Sequence, residues 1–322
     1  LGVAFDLSTS YNEGAWFGPF AIIDASYQIE YGLPVLKTAL TEKISIHSIG
    51  ILEYKKSSEK VLEAKEIEKT SNEMIADVKR ESLAVFEENK FLMAFGGDHS
   101  VSNGIFLALN EKFGAKNVTI IQFDAHADLW NSYQGQKFSH ASIMFNAKML
   151  GFPSIQIGVR DQMTIDEINA IKQFNLNDSM FFCTTMPKKF YKELNALHEN
   201  LIFDSVVSDK MIQKILSQIK TKNVYLTIDI DAIDSGIVSG TGTPLPHGLS
   251  ISALENCIYE IIFYCKKNGI NFLGFDLVEV SPQFREKTDF YDSKKCISTN
   301  TEIIAALIAY RILFWQFLQK YK

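Results

Sequence analysis

The chain has 322 residues, of which 47% are hydrophobic and 22% charged, a composition typical of a soluble globular protein. The net charge of −6 argues against nucleic acid as a partner and is compatible with a small cationic substrate. Four cysteines with no Cys-x-x-Cys pair favour reduced thiols in a cytoplasmic protein over a disulfide framework.

The predicted strands are short apolar runs, many of them β-branched. In chain order they are Leu1–Phe5, Ile46–Leu52, Phe91–Phe95, Val118–Phe123, Ser154–Val159, Met180–Cys183, Val224–Ile230 and Ile270–Phe275. The helical patterns between them include Lys60–Asn89, Ser100–Phe113, Gln162–Phe174, Asp209–Lys220 and Ser250–Lys267. Continuous apolar strands that alternate with helices predict a parallel sheet covered on both faces. Eight strands allow a closed barrel or an open sandwich, and we prefer the open sheet.

The most apolar stretch is Ile303–Leu318, near the end of the chain. Arg311 interrupts it, and it is too short for a good membrane span, so we expect a buried terminal helix and no membrane partner. We find no linker, repeat or signal peptide pattern, which predicts a single domain over residues 1–322.

Three polar clusters directly follow apolar runs, where parallel sheets bind their ligands. The first, Gly96–Ser100, has two glycines that permit a tight turn and places His99 after the strand that ends at Phe95. Taken alone, a histidine at a helix start is more often a structural group. This motif therefore depends on the other two for its interpretation.

The second cluster, Phe123–Asp128, alternates Asp124, His126 and Asp128 with alanines. Alternate side chains of an extended segment share one face, so we expect these three to point the same way. Two carboxylates and an imidazole buried together need a counter-charge.

The third cluster, Thr227–Asp234, lies at the end of the run Val224–Ile230 and places Asp229 and Asp231 in the same alternation. Asp234 falls in the next turn, where aspartate commonly makes local hydrogen bonds.

Together the clusters supply four carboxylates, two imidazoles and no thiolate. Such a set suits Mn²⁺ better than a thiolate-rich zinc site. Six ligands fit two metals that share carboxylates, sit about 3.5–4 Å apart and hold a bridging hydroxide as nucleophile. The six residues are His99, Asp124, His126, Asp128, Asp229 and Asp231.

These motifs resemble those of the ureohydrolases, the arginase and agmatinase family, in the family's order and at similar spacing. The resemblance covers nearly the whole chain. It implies a three-layer α/β/α sandwich with a mostly parallel eight-stranded sheet, two Mn²⁺ per chain, a small guanidino substrate and a homotrimer or homohexamer. By the same resemblance, one metal is held by His99, Asp124, Asp128 and Asp229, and the other by Asp124, His126, Asp229 and Asp231, with Asp124 and Asp229 bridging.

Three further residues match functional positions of the family. His140 matches the active-site histidine proposed to shuttle protons, Glu279 matches the glutamate that receives the guanidinium group, and Thr243 lies in a substrate-binding loop. The chemistry agrees, because a carboxylate pairs with a planar guanidinium and the leaving amine needs a proton. The implied products are urea and an amine.

The segments Phe5–Pro19 and Tyr133–Ala141 resemble agmatinases more than arginases. The Asn and Ser/Thr pattern with which arginases hold the amino-acid carboxylate is not found in Leu129–Tyr133. We therefore expect agmatine as substrate and putrescine as product, a reaction of polyamine biosynthesis. Departures from the agmatinase pattern fall near the pocket mouth or at subunit contacts; they are Asn12–Trp16, Trp130, Asn131, Ser132, Phe145, Asn146, Ser235 and His247.

Alternatives stay open. The chain could be an arginase, a guanidinobutyrase or a catalytically silent relative. A formiminoglutamase would need a positive anchor for its substrate, for which Arg160 is a candidate. The metal is open too, because a related guanidine hydrolase group uses nickel with the same ligand types.

Overall fold

The computed structural model describes residues 1–30, 32–33, 38–39, 44–56, 63–184, 186–194, 199–284, 296–297 and 300–317. The strands are β1 (Gly2–Ala4), β2 (Gly32–Leu33), β3 (Thr38–Ala39), β4 (Ile51–Glu53), β5 (Leu92–Phe95), β6 (Val118–Phe123), β7 (Ser154–Val159), β8 (Met180–Cys183), β9 (Leu201–Ile202), β10 (Asn223–Asp229), β11 (Asn271–Val278), β12 (Gln283–Phe284) and β13 (Cys296–Ile297). The helices are α1 (Gly18–Ser26), α2 (Ala64–Glu87), α3 (Ser102–Phe113), α4 (Ile143–Leu150), α5 (Ile165–Gln173), α6 (Lys188–Glu193), α7 (Asp209–Ser217), α8 (Ile251–Asn268) and α9 (Asn300–Phe317).

One sheet organises the described part of the chain, with the strand order β4-β1-β5-β11-β10-β6-β7-β8-β9. All its neighbouring strands are parallel, which confirms the predicted open parallel sheet. The sheet has nine strands where eight were expected. The additional strand, β9, is too short to stand out as an apolar run in the sequence. The run predicted at Ile46–Leu52 yields only β4, since Ile46 and Ile49 are 54% and 48% exposed.

Strand β10 shows how the sheet divides the molecule into layers. Leu226 and Ile228 lie in a core shared with residues of α7, α8 and α9, whereas Tyr225 lies in a second core with residues of α2, α3 and α4. Alternate side chains of a strand point to opposite faces, so the two cores lie on opposite sides of the sheet. The fold is the expected three-layer α/β/α sandwich.

The terminal helix α9 packs against α1 and α8. Arg311, which interrupts its apolar sequence, forms an ion pair with Glu255 of α8. Leu318, the last residue of the predicted helix, lies outside the described residues. No helix in the described ranges is both long and apolar enough to cross a membrane.

Three cysteines, Cys183, Cys257 and Cys265, are free, in agreement with the expected reduced thiols. All three are buried, and burial raises the pKa of each thiol to about 12. The side chain of Cys296 lies outside the described residues.

The order of the central strands positions the candidate site. Strand β5 precedes β6 in the chain, yet β11 and β10 lie between them in the sheet. The carboxyl ends of these four parallel strands therefore meet at one edge, at a reversal of strand order where α/β sheets bind ligands. All three polar clusters, and Glu279 after β11, follow these strands.

Candidate metal centre

The turn after β5 brings His99 to the sheet edge. A Cβ added at Gly97 would lie 1.8 Å from the carbonyl oxygen of Phe5, so the close approach of these backbones requires glycine. Asp98 then begins a short 3₁₀ helix, His99–Val101, and its Oδ1 accepts a hydrogen bond from the Ser100 amide at 3.0 Å. His99 is buried at 1% exposure.

The segment after β6 is not extended, so the predicted alternation of Asp124, His126 and Asp128 is wrong as a description of the backbone. The strand ends at Phe123, and Asp124 Oδ1 then accepts the His126 amide at 2.6 Å. Asp128 has a φ of 51°, a left-handed conformation that aspartate tolerates better than most residues. The three side chains meet through these turns.

The segment after β10 also turns at once. Residues Ile230–Ala232 form a 3₁₀ helix in which Asp229 Oδ1 accepts the Asp231 amide at 2.8 Å. Asp231 Oδ1 in turn accepts the Ala125 amide at 3.0 Å, which ties the second and third clusters together. Asp234 accepts the amides of Gly236 and Gly248, as expected of a turn aspartate.

The six predicted ligands form two adjoining groups. In the first, His99 Nδ1 lies 3.1 Å from Asp124 Oδ2, 3.2 Å from Asp128 Oδ2 and 3.4 Å from Asp229 Oδ2. In the second, His126 Nδ1 lies 3.1 Å from Asp231 Oδ2 and 3.4 Å from Asp124 Oδ1. Asp124 thus presents one oxygen to each group. The structure places Asp229 with the first group, where its Oδ2 faces His99.

This donor set fits divalent cations. The potential ligand atoms of His99, Asp124 and Asp229 lie within 4.8 Å of one another, and so do those of Asp124, His126 and Asp231. Two of the buried atoms, His99 Nδ1 and Asp231 Oδ2, have no hydrogen-bond partner among the described residues. A buried polar atom without a partner is unfavourable, and a bound cation would supply one to both.

The pKa values of these side chains are shifted because several carboxylates are buried close together. Burial and the charge of Asp124 raise the pKa of Asp128 to about 7. Burial and the charges of Asp231 and Asp124 raise the pKa of Asp229 well above its ordinary value. Burial acts against charge on His99 too, but its contacts with the three aspartates outweigh that effect and raise its pKa. Without metal, the cluster therefore retains protons that divalent cations would displace.

Buried polar residues that we did not predict orient the ligands. Gln122 Nε2 donates to Asp124 Oδ2 at 2.7 Å and to Asp128 Oδ2 at 3.1 Å. His99 Nε2 lies 2.8 Å from Thr227 Oγ1, which donates to Asp276 Oδ1 at 2.6 Å. The available signal was a polar side chain within an apolar strand, because such a group needs a buried partner.

Glu279 lies against the first group. Its Oε1 accepts the His99 amide at 2.8 Å, and the residue is 7% exposed with a φ of 62°. Burial and the charge of Asp98 raise its pKa well above the ordinary value. A left-handed φ on a long side chain is strained, and such strain concentrates at functional sites. The loop of Thr243 lies alongside, since a Cβ at Gly242 would sit 3.0 Å from Glu279 Oε2.

His140 is half-buried and begins another short 3₁₀ helix. Its ring contacts Tyr133 edge to face at 5.4 Å, and Tyr133 contacts Trp130 in the same way at 5.5 Å. Trp130, one of the departures from the agmatinase pattern, thus packs on the tyrosine that contacts the ring of His140. Burial, followed by the charges of His126 and His99, lowers the pKa of His140 to about 4.

Arg160 is not available as a substrate anchor. Its Nη2 donates to the carbonyl of Asp231 at 2.7 Å and to that of Leu245 at 2.8 Å, and its Nε donates to that of Pro246 at 2.9 Å. The guanidinium therefore ties the start of the connection between β10 and α8 to its later part. Our suggestion that it could anchor a formimino substrate is wrong.

Other departures also have structural roles. Asn146 is 7% exposed and donates to Asn103 Oδ1, and Phe145 packs edge to face on Phe174. Trp16 is 8% exposed and packs against Phe17 and Phe20, so it belongs to a small core.

Comparison with known proteins identifies the family that this chain resembles. The sequence model of the arginase family matches residues 1–315. An N(1)-aminopropylagmatine ureohydrolase of Thermus thermophilus is 31% identical over 282 residues, 88% of this chain and 82% of the relative. An agmatinase of Blochmanniella floridana is 30% identical over 289 residues, 88% of this chain and 80% of the relative.

The crystal structure of an agmatine ureohydrolase of Thermoplasma volcanium superposes with a TM-score of 0.65 at 23% identity. The match covers 99% of this chain and 90% of that one, and at this identity it concerns the fold.

Proposed function

The chain belongs to the arginase family, and we propose that it is a binuclear manganese-dependent ureohydrolase acting on agmatine or a closely related guanidine with a cationic tail. The observation that carries the proposal is the pair of ligand groups that share Asp124, with the buried carboxylate of Glu279 beside them. Two shared-ligand cations and a carboxylate are the parts that hydrolysis of a guanidinium group needs.

We assign the proposed ligands to two metals according to the two groups of side chains in the structure. His99, Asp128 and Asp229 would hold one Mn²⁺, His126 and Asp231 the other, and Asp124 both. Asp229, which the family resemblance implied as a second bridge, is assigned here to the first group because its Oδ2 faces His99. When bound, such a pair activates water and stabilises negative charge at neutral pH. Gln122 and Thr227 keep the ligands in place through their hydrogen bonds.

Glu279 and His140 would complete the reaction. A guanidinium group placed against Glu279 offsets the burial of its carboxylate and holds the carbon to be attacked. The amine that leaves needs a proton, and His140 is the histidine at the site outside the ligand set. Urea and the amine are then released.

The surroundings favour a cationic over an anionic tail. Arg160 is already hydrogen-bonded to backbone carbonyls, whereas Asp161 is 47% exposed in its side chain and lies 4.0 Å from His126 Nε2. A negative group beside the more exposed ligand attracts a positive tail. The two relatives described above are named for agmatine or its aminopropyl derivative.

The test is a substrate panel with Mn²⁺- and Ni²⁺-loaded protein: agmatine, N1-aminopropylagmatine, arginine, guanidinobutyrate and formiminoglutamate. We expect urea from agmatine or its aminopropyl derivative, with kcat/KM at least about tenfold above that for arginine, which corresponds to about 1.4 kcal/mol. Urea from none of the guanidines, with two metals bound, would refute the activity. Less than one metal per chain after loading would instead indicate a silent relative.

A further inference from the structure

A chain of buried hydrogen bonds joins Asp98 to His140 through Ser8. Asp98 and Ser8 are 0% and 3% exposed. Asp98 Oδ2 accepts from both the amide and the hydroxyl of Ser8, at 2.9 and 2.8 Å. Ser8 Oγ lies 3.0 Å from the His140 amide nitrogen and 3.3 Å from His140 Nδ1. Three segments far apart in sequence thus converge on one hydroxyl.

Asp98 is held rigidly at its end of the chain. Its other oxygen, Oδ1, accepts from the amide and the hydroxyl of Ser100. Its own amide donates to the carbonyl of Phe5 at 2.8 Å, next to the turn that carries His99. The position of Ser8 is therefore fixed by the same loop that positions a predicted metal ligand.

Counting donors fixes the protonation of the imidazole. A serine hydroxyl has one hydrogen to donate and two lone pairs to accept with. The hydrogen of Ser8 goes to Asp98, and one lone pair accepts the His140 amide. The remaining lone pair faces His140 Nδ1, which must then carry the hydrogen. Nε2 is left as the nitrogen with a free lone pair.

We propose that Ser8, held by Asp98, is a positioning residue that keeps His140 in the Nδ1–H tautomer, so that Nε2 handles the proton of the reaction. This inference rests on the proposed function for its kinetic consequence, but the tautomer itself does not depend on activity. In the reaction, the oxygen of water bonds to the guanidinium carbon and the bond from that carbon to the tail nitrogen breaks. Nε2 takes one proton of the attacking water and gives it to the leaving nitrogen, and the second proton of that water also ends on this nitrogen, which leaves as an alkylammonium. His140 therefore returns to its starting state.

The direct test observes the tautomer. In protein labelled with ¹⁵N-histidine and loaded with diamagnetic Zn²⁺, long-range ¹H–¹⁵N correlations distinguish Nδ1–H from Nε2–H, and loss of the signal in His140→Gln assigns it. We expect Nδ1–H in the unaltered protein and in Ser10→Ala, a control at an exposed position of the same segment. Ser8→Ala should shift the ring to a mixture or to Nε2–H. An Nε2–H ring in the unaltered protein, or no change in Ser8→Ala, would overturn the proposal.

Kinetics with the best guanidine of the panel provide the second readout. Ser8→Ala should lower kcat about tenfold or more while KM stays within about twofold, because general acid–base catalysis contributes about 10²–10⁴ and only its alignment is lost. Ser8→Thr, which keeps the hydroxyl, should restore the Nδ1–H tautomer and most of kcat. A Ser8→Thr enzyme that folds, keeps the Nδ1–H ring and is as slow as Ser8→Ala would contradict a role through the hydroxyl. If no guanidine is hydrolysed, the proposed function fails, and the tautomer measurement still decides this inference.

Discussion

Asp124 is the residue on which both ligand groups depend. Its two oxygens face different histidines, and Gln122 holds one of them at 2.7 Å. Burial raises the pKa of this carboxyl, but the hydrogen bonds and charges of His126 and His99 outweigh burial and keep it below its usual range. It is therefore ionised at neutral pH and suited to hold two cations.

Replacing Asp124 with asparagine keeps the shape and removes the charge. We expect Asp124→Asn to bind less than one Mn²⁺ per chain and to lose at least about 10³-fold in urea release, because a shared ligand supports both metals. Metal analysis after gel filtration and a urea assay measure the two effects.

The matched control is Asp161→Asn, which removes a carboxylate near His126 from outside the ligand set. It should keep two metals per chain. Two tightly bound metals in Asp124→Asn would show that the groups do not share this residue.

The sequence pointed to the proposed ligands but not to the residues that orient them, for a physical reason. His99 and the paired aspartates stand out because several ionisable groups clustered at the ends of apolar, buried strands are rarely found without partners. Thr227 and Gln122 look like ordinary interruptions of a strand, and their roles depend on neighbouring strands that are distant in sequence. Ser8 and Asp98 are 90 residues apart, and only the folded chain brings them into contact.

At the scale of elements, Arg160 connects the end of β7 to two parts of the segment between β10 and α8. Its Nη2 donates a hydrogen bond to the backbone carbonyl of Asp231, and the side chain of Asp231 is a predicted metal ligand. We expect Arg160→Lys to lower the free energy of unfolding by about 1–3 kcal/mol, because a lysine cannot reproduce the planar fork and leaves carbonyls unpaired. Metal affinity should fall about tenfold, as for other residues that support a ligand. Denaturant unfolding and a metal titration measure the two effects.

Arg80→Lys offers a control for the same substitution at a surface. Arg80 is 62% exposed in its side chain and pairs with Asp77 and Glu81 on its own helix. Exposed pairs contribute little, so its stability should change by less than about 0.5 kcal/mol. Equal effects of the two substitutions would show that Arg160 does not hold the segment between β10 and α8 together.

Most elements followed from the sequence, because buried parallel strands are continuously apolar and their helices carry recognisable caps. Thr164 begins α5 with a capping box to Glu167, and Ser250 caps α8. The turn after β6 did not follow from the sequence. Its course depends on the left-handed backbone of Asp128, which the local pattern permits but does not demand.

For the whole molecule, the proposed ligand set would link metal binding to stability. His99, Asp124 and Asp229 lie at or just after the carboxyl ends of three separate strands and meet only in the folded state, so the proposed metals would bind the native chain and not the unfolded one. At a free Mn²⁺ concentration of about 1,000 times Kd, this linkage adds about 4 kcal/mol. We expect Tm to rise by on the order of 5–10 °C and to fall again on chelation. Asp124→Asn under the same conditions should show little of this shift.

The rise in Tm that metal binding causes should depend on pH. The folded pKa of Asp128 is about 7 against an ordinary value of 3.8, so the metal-free folded state binds a proton that the unfolded state releases. The stabilisation of the folded state by this bound proton is fully present below pH 3.8 and is lost as the pH rises through 7. The carboxylate of Asp124 stays ionised across this pH range. The metal-free protein should therefore lose stability from pH 5.5 to 8, while Mn²⁺ meets less competition from protons. Thermal unfolding with and without Mn²⁺ should show a larger metal-induced rise in Tm at pH 8 than at pH 5.5. A rise at pH 8 that is equal to or smaller than the rise at pH 5.5 would mean that protons and metal do not compete at these carboxylates.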